Sequence, residues 1–176
     1  MDGSTVDVFQ SNALSNMNTI TSLTLSDTLL QLKDSAICWD ESLTAITLPD
    51  SLIAIGERNL YACTKLSEVT IPAGVRFIGE AAFSYDESLK KIVFAGVCPI
   101  IESSCFTDLP EDAVIYVPDD QLEAYQTTLA AAGCTAAVLP SGEAAVIVDN
   151  NGFEEDDFDF DRTTGTITAC NAYAAY

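Results

Sequence analysis

One register of apolar residues returns every twenty-three positions along most of this chain. Starting at Leu43, one unit reads Leu43, Ile46, Leu48, Pro49, Leu52, Ile55, Gly56, Leu60 and Cys63. A step forward gives Leu66, Val69, Ile71, Pro72, Val75, Ile78, Gly79 and Phe83, and another gives Leu89, Ile92, Phe94, Cys98, Ile101 and Phe106. A step back gives Ile20, Leu23, Leu25, Leu29, Leu32 and Ile37, while the last in-phase segment is Ile115, Val117 and Pro118. Ungapped self-similarity at such a period marks a chain that winds repeatedly around one shared interior.

Within a unit, the last two apolar residues of L-x-x-L-x-L share one face of a short strand, because side chains alternate along extended backbone. Five such strands are in phase and should stack in parallel. The second apolar pair, such as Leu52 and Ile55, carries the chain back across the other side, and the Ala82-Phe83 step fills the turn. A buried apolar side chain contributes roughly 2 kcal/mol, while ordering backbone costs roughly 1 to 2 kcal/mol for every residue. A lone coil of this composition therefore cannot fold, and stacking is obligatory. Pro49, Pro72 and Pro118 fall just past the strands, where a missing N–H breaks no ladder, and Gly56 and Gly79 fall where a tight turn calls for positive φ. Ser26 and Ala95 stand in the proline position of other coils, and Lys33 and Glu102 in the glycine position.

Composition excludes several functions. Seven basic against 27 acidic residues give a formal charge of −20, which repels nucleic acid and anionic lipid. The chain has no histidine, so Ser-His-Asp and Cys-His nucleophile schemes cannot be assembled. No apolar run approaches the roughly 20 residues of a membrane span, and no basic segment followed by an apolar one opens the chain. Neither membrane insertion nor an export signal of its own is expected of this segment. Cys38, Cys63, Cys98, Cys105, Cys134 and Cys170 lie far apart, without the close pairs of zinc or dithiol sites. An even count allows disulfides in an exported protein, but a core of this size needs no staples, so buried free thiols are the expectation, with Cys63, Cys98 and Cys105 interior, and no metal or other cofactor is expected.

The pattern L-x-x-I-x-L-P-x-x-L-x-x-I-G-x-x-A-F-x-x-C, running from about Val6 to Pro118, resembles the repeat of BspA-like (TpLRR-type) leucine-rich proteins. The resemblance implies an α/β repeat: a leucine-rich-repeat solenoid with a parallel β-sheet, a short capping helix and then a small β-hairpin module. It also implies an exported protein displayed at a cell surface, extracellular, and engaged in adhesion. The position of Cys63 is occupied by Met17, Asp40, Asp86 and Leu109 in other coils, so Cys63 is read as a core filler.

The expected organisation is a solenoid over 1–118, a capping helix over 119–134, and an acidic linker with the start of a small β module over 135–176. Val6, Phe9, Ala13, Leu14 and Met17 match the second half of a coil, so the chain begins inside a repeat, as a fragment would; an irregular, self-capping first coil is the alternative. After Pro118 the period is taken to stop. Asp120 and Glu123 form a capping-box pattern opening a helix through about Ala132, closed by Gly133. Its Leu122, Tyr125 and Leu129 share one face, placed to cover the open end of the last coil. Farther on, 144–148 reads as a strand, Asn151-Gly152 as a turn, and 158–161 with 166–168 as a hairpin across Thr164-Gly165. The string F-D-F-D-R-T-T-G-T-I-T resembles the segment that introduces a new repeat block in the same family.

Outward strand positions form two rows, Ser22, Ala45, Glu68, Lys91, Val114 and Thr24, Thr47, Thr70, Val93, Tyr116. Solenoids bind on such a face, and Thr24, Thr47, Glu68, Thr70, Lys91, Val93 and Tyr116 are the candidate ligand-binding residues; the alternative is that threonine simply suits a half-exposed strand. On the return side Leu30 and Ile53, with Val8, Phe77 and Ile100 beside them, suggest an apolar stripe that is either a partner surface or covered by flanking segments or a neighbouring domain. Glu154-Glu155-Asp156-Asp157, near Asp149, Asp159 and Asp161, offers oxygen ligands for calcium, but the spacing is not that of an EF-hand loop, and a solvated acidic linker explains it better. The function expected is a non-enzymatic binding or adhesion scaffold recognising protein or glycan, ahead of a structural spacer and a carbohydrate-active solenoid enzyme. The strand rows supply Glu68 as their sole carboxylate, where a glycosidase needs a pair.

Overall fold

The computed structural model describes residues 7–143 and Ala145, together with the strand backbone of 158–161 and 166–170. Expected features at 144–148, Asn151-Gly152 and the acidic run 154–157 lie outside the described residues.

The period becomes a right-angle reading of the architecture: along the chain a coil, across it a ladder. Front strands β2 (Ser22–Thr24), β4 (Ala45–Thr47), β6 (Glu68–Ile71), β8 (Lys91–Phe94) and β10 (Val114–Val117) each begin 23 residues after the one before. They are short because only three or four residues per coil alternate between core and solvent. Return strands β1 (Asp7–Phe9), β3 (Leu29–Leu32), β5 (Ala54–Ile55), β7 (Phe77–Ile78) and β9 (Ile100–Ile101) form a five-stranded parallel sheet in sequential order. The front ladder is divided: β2 pairs with β4, and a separate sheet runs from β6 through β8 and β10. The result is a parallel-sheet solenoid of about six turns.

Leu43, Leu52, Ile55, Leu60, Cys63, Leu66, Ile78, Phe83, Leu89 and Ile92 are fully buried, and most other periodic positions join the same core. Phe83 stacks on Phe106 at 5.2 Å and 6°, and Phe94 meets Phe106 edge-on at 6.1 Å. Pro49 and Pro72 start the turn that follows the strand, their carbonyls accepting from Leu52 N–H at 3.0 Å and Val75 N–H at 3.2 Å. Ser26 does the same for Leu29 at 3.1 Å, which is why proline is replaceable there.

The period does not stop at Pro118. After a short 3-10 turn over Asp119–Gln121 and helix α1 (Leu122–Ala131), strand β11 (Ala137–Pro140) returns to the front and pairs with β10, Val114 opposite Ala137 and Val117 opposite Pro140. That offset is again twenty-three. The helix thus takes the return side of a further coil, beside β9 and β11. Tyr125 and Leu129 are buried and Leu122 half-buried, so the expected face does meet the core, but helix and strand close the end together. Tyr125 also donates its hydroxyl to Gly96 O at 3.0 Å and lies 4.7 Å from Phe94.

The capping box does not form: the helix has no side-chain cap at its N-terminus. Asp119 Oδ1 instead accepts from Gly142 N–H at 2.8 Å and Asp120 Oδ1 from Ala145 N–H at 2.9 Å, tethering the chain beyond β11. At the other end Gly133, with φ of 83°, closes the helix as expected. Gly133 N–H donates to Ala130 O at 3.1 Å and Cys134 N–H to Leu129 O at 2.9 Å, the paired bonds of a Schellman ending.

Gly56 and Gly79 are not among the glycines at positive φ. Their reason is space, since a Cβ on Gly79 would lie 2.5 Å from Glu57 N and 2.7 Å from Gly56 C. Within the repeating coils positive φ instead recurs at non-glycine residues of the turn side, at Asn12, Ser35, Arg58, Ala81 and Ser104 and at Asn16, Trp39, Ala62, Tyr85 and Asp108.

One further expectation is corrected. Cys63 and Cys105 are interior, but Cys98 is only half-buried, its backbone N–H facing Gln121 Oε1 of the next coil at 3.5 Å. The Cys63 column is not uniformly apolar: Asp40 and Asp86 are buried there as well, Asp86 Oδ1 accepting Cys63 N–H at 2.7 Å and Asp40 Oδ1 accepting Met17 N–H. The hairpin expected at 158–168 is present as antiparallel β12 (Phe158–Asp161) and β13 (Thr166–Cys170).

Candidate functional site

Because each front strand turns alternate residues outward, the two predicted rows become two physical rows. Ser22 lies opposite Ala45, and Glu68, Lys91, Val114 and Ala137 follow one another in register; Thr24 lies opposite Thr47, and Thr70, Val93, Tyr116 and Leu139 likewise. Thr24, Thr47, Glu68, Thr70 and Lys91 are exposed, while Val93 and Tyr116 are half-buried. All seven candidates share one face, although the hydrogen-bonded ladder breaks between β4 and β6.

The face changes character along the stack. Its first coils present small polar groups, and the middle carries an exposed ion pair, Lys91 Nζ to Glu68 Oε2 at 3.4 Å. Beside it Lys90 Nζ meets Asp112 Oδ2 at 2.7 Å, and the hydrogen bond from Lys90 holds the Asp112 carboxyl below its ordinary value. Exposed pairs of this kind add little to stability. The last coils are apolar, with Val93, Val114, Tyr116, Ala137 and Leu139, the last 45% exposed. Ala137 and Leu139 belong to the coil beyond Pro118. The signal was present in Val138 and Pro140, twenty-three residues beyond Ile115 and Val117, but a helical segment separates them.

The return side does not carry the expected apolar stripe. Ile53 and Phe77 are buried and Leu30 and Val8 half-buried, leaving Ile100 exposed at 46%. Among the described residues no group of three or more His, Cys, Asp or Glu side chains is placed to hold a metal, and no helix is long and apolar enough to cross a membrane.

The described geometry, parallel coils of fixed length with their core on the L-x-x-L-x-L positions, agrees with a family model. The model, described as BspA type Leucine rich repeat region, matches residues 3–120 in six copies. The chain belongs to this family. Strand β11, which completes a further coil of the BspA-type solenoid, lies beyond the matched residues. The chain is similar to a solved leucine rich repeat protein of T. pallidum, at 18% identity and a TM-score of 0.47, over 82% of this chain and 83% of that one. No curated protein matches. A leucine-rich repeat fold is that of a protein-interaction scaffold.

Proposed function

We propose that this BspA-type solenoid is a non-enzymatic binding or adhesion scaffold at a cell surface, recognising protein or glycan on its front face. The observation that carries the proposal is the front face itself, a surface of parallel strands whose polar, charged and apolar zones follow one another along the stack. Parallel strands of a solenoid form one extended binding surface because each coil adds one residue to each row. The apolar zone at Val93, Tyr116 and Leu139 supplies the desolvated anchor and the Glu68–Lys91 zone supplies orientation. The boundary between the binding unit and the module that follows is drawn after Glu143 rather than after 134, because β11 is hydrogen-bonded into the front sheet.

The test is an array of immobilised matrix proteins and glycans probed with the purified chain, and with a Tyr116→Ser, Leu139→Asp variant. Binding that the variant loses supports the front face; binding that it retains in full overturns it. No turnover of polysaccharides or esters is expected, and an activity abolished by Glu68→Gln would contradict the non-enzymatic proposal.

A further inference from the structure

The turn side of the solenoid carries a feature that neither packing nor backbone preference explains. In each coil the second left-handed residue belongs to the column Asn16, Trp39, Ala62, Tyr85, Asp108, with φ between 56° and 64°. The column before it is Ser15, Cys38, Tyr61, Ser84, Thr107. Backbone bonds tie the coils in this order: Asn16 N–H to Cys38 O at 2.9 Å, Trp39 N–H to Tyr61 O at 2.8 Å, Ala62 N–H to Ser84 O at 2.9 Å and Tyr85 N–H to Thr107 O at 3.2 Å. Asn and Asp adopt such a φ with least penalty, because a short polar side chain bonds locally, whereas a bulky side chain there is an outlier. Trp39 and Tyr85 nevertheless stand in it, and they are 52% and 48% exposed. Where the column holds only Ala62, Tyr61 leans into the gap, 5.2 Å from Trp39 at 62° and 5.1 Å from Tyr85 at 52°. The three rings make one continuous ridge across three coils.

We propose that this aromatic ridge is a second binding site, separate from the front face, and that its ligand is a neutral glycan chain. The negative faces of aromatic rings attract the C–H face of a pyranose. The indole N–H and phenol hydroxyls, with exposed Asn16 and Asp108 at either end of the column, supply partners for sugar hydroxyls. Neither column contains Lys or Arg and the chain carries a charge of −20, so sulfated and uronic polymers are repelled. Rings that project half-exposed do not form the enclosed, desolvated pockets that anchor a peptide side chain. Their mutual tilt makes a twisted platform, suited to a single soluble chain rather than to a flat crystalline surface. Trp39 and Tyr85 lie two coils apart, about 10 Å at the spacing of adjacent strands, which a short oligosaccharide spans.

Trp39 is the only tryptophan in the chain, so its emission reports on the ridge directly. The full chain is titrated with neutral hexasaccharides of glucose, xylose and mannose and with a polyuronate. A saturable emission change with at least one neutral sugar and none with the polyuronate is expected. Tyr85→Asn should weaken the response about tenfold, the scale of one lost ring contact, and Trp39→Asn should do the same by calorimetry. Asparagine already stands in this column at Asn16, so both variants keep a tolerated backbone, and an unchanged thermal melt verifies folding. Leu139→Asp, on the front face, should leave the response intact. The proposal is overturned if no neutral sugar shifts the emission, if Tyr85→Asn binds like the parent, if Leu139→Asp abolishes the response, or if a basic or proline-rich peptide binds the ridge more tightly than every sugar.

Discussion

Gly79→Ala isolates what one methyl group does between two stacked coils. The backbone of Gly79 is not left-handed, so alanine is conformationally permitted and space alone opposes it. The new Cβ would lie 2.5 Å from Glu57 N, 2.7 Å from Gly56 C and 2.9 Å from Glu57 Cα. All three are backbone atoms of the preceding coil, and none can swing aside as a side chain would. Reaching tolerable contact at 3.0 to 3.4 Å requires a shift of several tenths of an ångström. That shift strains the bond from Gly79 N–H to Ile55 O, now 2.9 Å, and opens neighbouring core contacts. Overpacking of this kind costs about 1 to 3 kcal/mol, and in a chain of this length each kcal/mol moves the melting midpoint by about 2 to 4 °C. Lys33 and Glu102 stand at the equivalent position in other coils, and nothing in the structure explains how a side chain is accommodated there. Gly133 is the internal control, with φ of 83° and nothing within 4 Å of its missing Cβ. Calorimetric melting of four variants separates space from conformation: Asn should be worse than Ala at Gly79, and milder than Ala at Gly133, where a left-handed residue is needed. Gly79→Asn proving milder than Gly79→Ala would refute the close-approach argument.

Asp86→Asn should flatten the pH dependence of stability. Burial raises the Asp86 carboxyl well above its ordinary value, against the opposing bond from Cys63 N–H, so the fold favours the protonated acid: its contribution is complete below about 3.8, the unfolded value, and is lost as pH rises through the folded one. Denaturant melts should show the variant gaining about 1 to 3 kcal/mol at neutral pH with little change in acid, and an equal gain at both would count against it. In native thiol labelling, Cys98 should react well before Cys63 and Cys105, which burial leaves protonated and shielded; rapid modification of Cys63 would show that its coil opens. A chain ending at Gly133 keeps α1 but bares the β10 edge, so it should self-associate in sedimentation while a chain ending at Glu143 stays monomeric. Identical behaviour of the two would show that β11 does not protect that edge.

The inward set was legible from the chain alone because identical coils, stacked, make neighbours of residues twenty-three apart: Leu43, Leu66 and Leu89 are buried together for the same reason that they are spaced alike. The outward rows followed from the same rule, since a strand has only two faces, and Thr24 to Tyr116 fell on one of them. Tertiary structure decided what period and pattern leave free. A helix at 122–131 interrupts the hydrophobic rhythm without ending the stack, so the coil that brings Leu139 beside Tyr116 is fixed by hydrogen bonding between β10 and β11. Gly56 and Gly79 look alike whether a turn needs positive φ or two backbones need to touch, and only the distance between coils separates the cases. The ridge of Trp39, Tyr61 and Tyr85 breaks the period by one residue at Tyr61. It exists because a ring can reach across to a neighbouring column where Ala62 leaves room, a property of three-dimensional adjacency that no repeat pattern contains.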